Sequence, residues 1–207
     1  MLLPGWPASC GIGQNSRQNS VQLERPARMT QEVDLADAVI AAWQTSNRVT
    51  VFLFENLPSE LWPMTVPGTS RRTVRMIAGH IHNARCMWIK MLGRRHGIRA
   101  PKSVSRYTVT RRELVPALGR SSDGILKLLE LGISQGGRIP AAGVAWLNLP
   151  VDVVHVLAYF VAHEGHHRGQ IVLLARQMGH RLPIEITGGL WHWSRRAKEV
   201  QAAERRT

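Results

Sequence analysis

The chain has 207 residues, 27 Lys and Arg against 14 Asp and Glu, and a formal net charge of +13. Apolar residues make up 44% and charged residues 20%, an ordinary globular mix that excludes wholesale disorder. No apolar run approaches the roughly 20 residues of a membrane span, the first residues lack the basic and apolar regions of a signal peptide, and Cys10 and Cys86 are too few for a disulfide framework. A reducing, cytoplasmic setting is the expectation, with no membrane partner.

The charge is unevenly spread. Residues 30–89 and 113–189 carry equal numbers of acidic and basic side chains. The excess lies near the two ends and in residues 90–112, which hold Lys90, Arg94, Arg95, Arg99, Lys102, Arg106, Arg111 and Arg112 and no acid. That stretch has only Tyr107 as an interleaved aromatic and matches no nucleic-acid reader motif, so nucleic acid is not the expected partner. Depending on which way it faces, it is either a solvated surface or a means of attracting an anionic ligand.

Residues 1–28 are rich in Gly, Pro, Ser, Asn and Gln without period and are expected to be a disordered tail, or an over-called start preceding Met29. Helical period begins at Thr30, a candidate cap, with Leu35, Val39, Trp43, Thr50 and Phe54 along one face and Pro58 and Pro63 at the end. Asn47 interrupts that stripe and is a candidate for a polar site. A second helix is predicted from about Ser70 to Gly93, capped by Ser70 or Thr73, with Val74, Ile77, Ile81, Ala84, Trp88 and Met91 buried. Residues 94–109 read as a basic loop. A third helix is predicted over 110–134 on Leu114, Leu118, Ile125, Leu128, Leu129 and Ile133, followed by a Gly/Pro-rich loop to 150 anchored by Trp146 and Leu147. The fourth, over 151–179, starts after Pro150 and stops at Gly179. The last residues, 198–207, read as a basic tail. With no alternating strand pattern, the expected fold class is an all-α antiparallel helix bundle over residues 29–197.

The histidines carry the chemistry. On the fourth helix His163 and His167 are four apart, about 40° around the helix and one turn up, on the face shared by Val156, Phe160, Ile171 and Leu174. Two imidazoles so placed on an inward face can chelate one metal ion. Gln170, seven past His163, returns to that face and can support a ligand from behind. His166 is less well aimed. On the second helix His80 lies beside Ile77 and Ala84, whereas His82 falls about 200° away and is expected to face outward with Arg75, Arg85 and Cys86. His80, His163 and His167 therefore form a candidate three-histidine site with positions left for water or substrate. A lone buried histidine is ordinarily a hydrogen-bonded core residue, but three unpaired imidazoles in an apolar core are costly, and a metal removes that cost. Imidazole suits several first-row metals; Zn or Ni leads, with Fe or Mn as alternatives.

The same residues, His163-Glu164-Gly165-His166-His167, match the HExxH zinc-protease pattern, with Glu164 as general base and Glu185 as a downstream ligand. No strands are expected to hold a peptide, and Gln170 and Leu173 stand where the longer metzincin pattern needs Gly and His.

Gly79-His80-Ile81-His82-Asn83 with Trp88, and His163-Glu164-Gly165-His166-His167-Arg168-Gly169-Gln170-Ile171, resemble the helix-two and helix-four signatures of the DinB/YfiT-like metalloenzyme superfamily. Thr110-Arg111-Arg112-Glu113-Leu114 with Ala117-Leu118, and Gly189-Leu190-Trp191-His192-Trp193, resemble one branch of it. The resemblance spans roughly residues 30–197. It implies a four-helix bundle of up-down-down-up topology and a divalent metal held by His80, His163 and His167. It also implies a transferase or isomerase acting on a small-molecule substrate with a low-molecular-weight thiol, and a homodimer is expected. Glu164, beside a ligand, is the candidate catalytic base, with Asn47 and Gln170 behind the ligands. The other readings are a non-catalytic stress-response or binding bundle with a structural or vestigial metal, and the HExxH protease.

Overall fold

The computed structural model describes residues 33–69, 71–140 and 151–206. The expectations for residues 1–28 and the N-cap Thr30, for a cap at Ser70, and for anchors at Trp146 and Leu147 fall outside the described residues. Every regular element among the described residues is helical: α1 (Leu35–Asn56), α2 (Val74–Gly93), α3 (Arg111–Ser134), α4 (Val153–Gln177), the one-turn α5 (Ile184–Thr187) and α6 (Trp193–Glu204).

Each long helix starts where a short polar side chain satisfies a free backbone N–H. Asp34 accepts from the Ala36 N–H at 2.8 Å. Thr73 caps α2 through Met76 and Asp152 caps α4 through His155. Thr110 and Glu113 form a reciprocal capping box on α3. Gly179 closes the chain after α4 with φ of 81°, a conformation glycine adopts without strain.

The four long helices bury two apolar clusters. One gathers Leu53, Phe54, Ile77, Ile81, Leu114, Leu118 and Ile171. The other gathers Trp43, Trp88, Ile89, Ile125, Leu128 and Phe160. Helices α2 and α3 approach closely at Gly124, where a Cβ would lie 2.5 Å from Ile89 Cδ1. Contacts between these two helices rise together in number: His82 meets Ser121, Ile89 meets Gly124, and Gly93 meets Leu128. Contacts between α2 and α4 run oppositely, Trp88 with Tyr159 and His80 with His163.

Beside these clusters the helices bury a polar layer of side chains from α1, α2 and α4, to which α3 adds a backbone carbonyl. Glu164 is fully buried, and Arg85 is 1% exposed. Arg85 grips the carboxylate with two donors, Nε to Oε1 at 2.7 Å and Nη2 to Oε2 at 2.8 Å. Thr50 donates to Oε2 at 2.7 Å and accepts from Arg168 Nη1 at 2.6 Å. The remaining Arg85 amine, Nη1, donates to Asn47 Oδ1 at 2.8 Å and to the Leu118 carbonyl at 3.0 Å. The Arg85 guanidinium also lies 4.8 Å from the centre of the Trp43 ring. A buried charge is tolerable only when paired and hydrogen-bonded, and here it is both.

The structure corrects the sequence reading of two helix faces, one on α2 and one on α1. Arg85, Cys86 and His82 do not face outward; all three are buried. The cause is the loop after α2, which turns back along that helix and, with α3, covers the face assigned to solvent. Of the stretch 198–207 expected as a basic tail, residues 198–204 belong to α6 (Trp193–Glu204), which docks on α1. Arg48 pairs with Glu199 at 2.6 Å, Gln44 donates to Glu204 at 2.7 Å, and Arg196 stacks 4.0 Å over Phe52. Leu35, assigned to the inner stripe of α1, is 78% exposed, because it stands in the first turn beyond the reach of the core.

Removing one partner of the buried pair strands a charge beside the apolar clusters. Arg85→Met or Glu164→Leu is expected to lower unfolding free energy by about 3–5 kcal/mol, and the double variant by less than the sum of the two. Urea unfolding followed by circular dichroism measures all three.

Candidate metal centre

His80 sits one and a half turns into α2, and His163 and His167 on α4 face it. These are the three residues singled out by helical geometry, and their ring nitrogens lie within 4.8 Å of one another. His163 Nε2 is 3.3 Å from His80 Nε2 and 3.2 Å from His167 Nε2. Two zinc–nitrogen bonds of about 2.0–2.1 Å at a tetrahedral angle put their nitrogens about 3.4 Å apart. The observed spacing therefore suits one cation held by three imidazoles.

Hydrogen-bond chemistry points the same way. His167 Nδ1 lies 2.8 Å from Gln170 Oε1, which can only accept. The proton is thus on Nδ1, and the His167 Nε2 lone pair faces the other two rings. His163 Nε2 touches two neighbouring ring nitrogens but offers a single proton or a single lone pair, so it can satisfy just one of them. A cation satisfies all three at once. The donor set fits a divalent metal.

Burial keeps the ligands neutral. Desolvation, then the charges of His167 and His80, push the His163 imidazole down to about 4. Desolvation likewise lowers His80 and His167 from the ordinary histidine value. Tyr159 stacks on His163, with ring planes 13° apart and centres at 5.7 Å, and holds that ring from the side. The Tyr159 hydroxyl in turn accepts from Trp88 Nε1 at 3.3 Å. His166 is exposed and lies outside the triad.

The other candidate residues fall elsewhere. The hydrogen bonds of the Glu164 carboxylate go to Arg85 and Thr50, and none goes to an imidazole. Asn47 serves Arg85 rather than a ligand histidine. Cys86 Sγ is 3.3 Å from His82 Nε2, and burial pushes its thiol up to about 11, so it stays protonated at neutral pH.

His82 and Asn83 have a function that helical periodicity could not reveal: they hold the basic loop. His82 Nε2 lies 3.0 Å from the Lys102 carbonyl, and Nδ1 lies 3.1 Å from Ser121 Oγ. Asn83 binds Val104 twice, donating to its carbonyl and accepting from its N–H, both at 2.9 Å. The loop then passes Gly79, where a Cβ would touch Arg106 Cγ and Val109 Cγ1 at 3.4 Å. This brings Arg106 beside His80. A cavity of about 370 Å³, lined by Arg72, Met76, His80, Arg106 and His167, opens there. The signal for the clamp was present in the motif itself, since His82 and Asn83 follow His80 on the same helix, but the partner loop has no periodicity to announce its path.

The helical frame and the three converging imidazoles define a helical metal-binding class of protein. The family model described as DinB family matches residues 29–200, and the chain belongs to that family. No curated protein matches the chain. Among the described residues, no helix is long and apolar enough to cross a membrane.

If Asn83 is the clamp, Asn83→Ala removes both bonds to Val104, at a local cost of about 1–3 kcal/mol. Exchange of the Val104 amide hydrogen should accelerate by roughly ten-fold or more while core amides of α1 keep their protection. Residue-resolved hydrogen exchange measures both.

Proposed function

We propose that this protein is a metal-dependent enzyme, of transferase type, in which His80, His163 and His167 hold a divalent cation, Zn or Ni first, that activates a low-molecular-weight thiol or water. The observation that carries the reading is the convergence of three imidazoles, with His163 Nε2 at 3.2–3.3 Å from the other two Nε2 atoms and all three within 4.8 Å, beside an open cavity. A cation with three neutral ligands keeps nearly its full charge and, when bound, acts as a Lewis acid that lowers the pKa of a thiol or water.

The chain's own residues support that role. Gln170 fixes the His167 tautomer, and Tyr159 fixes the plane of His163. Glu164 acts in this reading as a positioning residue, because its carboxylate is consumed by Arg85 and Thr50. The nucleophile comes from solvent or a second substrate, since Cys86 is buried and protonated. The zinc-protease reading needs a Glu164 carboxylate free to reach a metal-bound water, and the buried ion pair leaves none free. A purely structural metal normally has four protein ligands in a closed site; three ligands at a cavity favour catalysis. The reading includes the up-down-down-up order of the long helices, as the family resemblance implies. Support comes from contacts that rise together between α2 and α3 and run oppositely between α2 and α4.

Elemental analysis of tag-free protein is expected to give about one divalent metal per chain. His163→Ala is expected to lower that content at least ten-fold while leaving the far-ultraviolet circular dichroism unchanged. The loaded protein should then turn over in a screen of thiol–electrophile pairs. Protein that stays metal-free after reconstitution overturns the reading. Tight metal binding without turnover in any pair, or with water alone, favours the structural site instead.

A further inference from the structure

The cavity beside the imidazoles has an unusual charge. Arg72, just before the cap of α2, and Arg106, on the clamped loop, both line it, and no acidic side chain does. Neither guanidinium has an ion pair or hydrogen-bond partner among the described residues. The arginines of the interior and of the α1–α6 contact are paired by contrast: Arg48 with Glu55 and Glu199, Arg196 with Glu199, and Arg85 with Glu164. Both arginines line the same cavity as the ligands His80 and His167.

Two unneutralised guanidiniums beside three neutral imidazoles concentrate positive potential in a small concave space. The planar guanidinium fork matches the paired oxygens of a carboxylate or phosphate. We infer that Arg72 and Arg106 form an oxyanion subsite that seats a carboxylate or phosphate group of the substrate against the three-histidine centre. The volume, about 370 Å³, is near the lower end of small-molecule pockets, which run from about 300 to 1,000 Å³. A small anionic substrate, or the anionic end of a larger one, fills it. Met76 supplies the apolar wall. The inference rests on the proposed metal-dependent reading for the chemistry at the substrate's reacting end; recognition of the anion needs only the two arginines.

The investment in holding the loop supports this assignment. His82 and Asn83 together fix Lys102 and Val104, and Arg106 follows two residues later. Of the eight basic residues in 90–112, Arg106 is the one that lines this cavity. A loop wanted only for solubility needs no such clamp.

Calorimetric titration of inorganic phosphate and of succinate into the full chain, at low ionic strength, tests the subsite. It is done with zinc-loaded and with metal-free protein, and with Arg72→Gln, Arg106→Gln and Arg94→Gln. The last removes an equal charge from the C-terminal end of α2, about 20 Å along the helix from His80. The expected result is saturable binding of at least one anion to the unmodified protein. Its Kd should rise at least ten-fold in Arg72→Gln and in Arg106→Gln, in both metal states, and stay unchanged in Arg94→Gln. Preference for phosphate or for succinate then tells which oxyanion the subsite takes. Binding of neither anion, an affinity in either cavity variant equal to that of the unmodified protein, or an equal loss in Arg94→Gln overturns the inference. If the protein fails to take up zinc, the metal reading falls alone, and the metal-free titrations still decide the subsite.

Discussion

The bidentate contact between Arg85 and Glu164 is the constraint on which the site depends. Glu164 is the only carboxylate of α4, and α2 has none, so this pair can form only between the two helices. Its geometry is tight, with both oxygens and two guanidinium nitrogens engaged within 2.8 Å. Glu164 is next to His163 in sequence, and Arg85 is five residues beyond His80. Locking the carboxylate onto the guanidinium therefore sets the rotation and the axial register of α4 against α2. A slip of one turn is about 5.4 Å, enough to separate ring nitrogens that now stand 3.2–3.3 Å apart. Apolar packing alone tolerates such slips better than a directional ion pair does, because dispersion is not directional.

Much of this protein was legible in its sequence, for specific reasons. Helical period, caps and stop signals located the four long helices because each is bounded by a polar cap or a glycine. The three ligands were legible because a four-residue spacing and a shared apolar stripe can be computed from a helix alone. The burial of Arg85, His82 and Cys86 was not, because a one-sided stripe assumes that the opposite face meets water. Here that face meets α3 and a loop that returns along α2, and a loop's path has no period. A lone Arg with apolar Ala84, Cys86 and Trp88 around it, and a lone Glu in α4, were the available signals. Helix α6 escaped for a different reason. Its sequence, Trp193 to Glu204, has few large apolar residues, and it docks through Arg48–Glu199, Gln44–Glu204 and Arg196 over Phe52.

The role of the basic stretch follows from the clamp on α2. As composition, eight cations in 23 positions suggest a polyanion partner; as structure, Lys90, Arg94, Arg95, Arg99, Lys102, Arg106 and Arg112 lie exposed, and Arg111 donates to the Leu57 carbonyl. Arg106 alone among them meets the cavity. What matters for binding in the proposed subsite is therefore not the sum of charge but the one residue that follows the segment His82 and Asn83 clamp.

The ion pair also shapes the electrostatics of the site. A carboxylate adjacent in sequence to a ligand histidine ordinarily offers a negative charge to the metal or to its bound nucleophile. Arg85 takes that charge away, and Arg168, whose Nη1 lies 3.9 Å from Glu164 Oε2, adds a second cation to the same layer. Among the causes acting on His163, the carboxylate ranks below both neighbouring imidazoles and below burial. The open side of the centre is thus left with neutral ligands and the charges of Arg72 and Arg106. A cation bound there would keep its own charge undiminished, and an anion would find nothing to repel it. One interaction, buried where no substrate reaches, fixes the place of the ligands and leaves the field at the cavity positive.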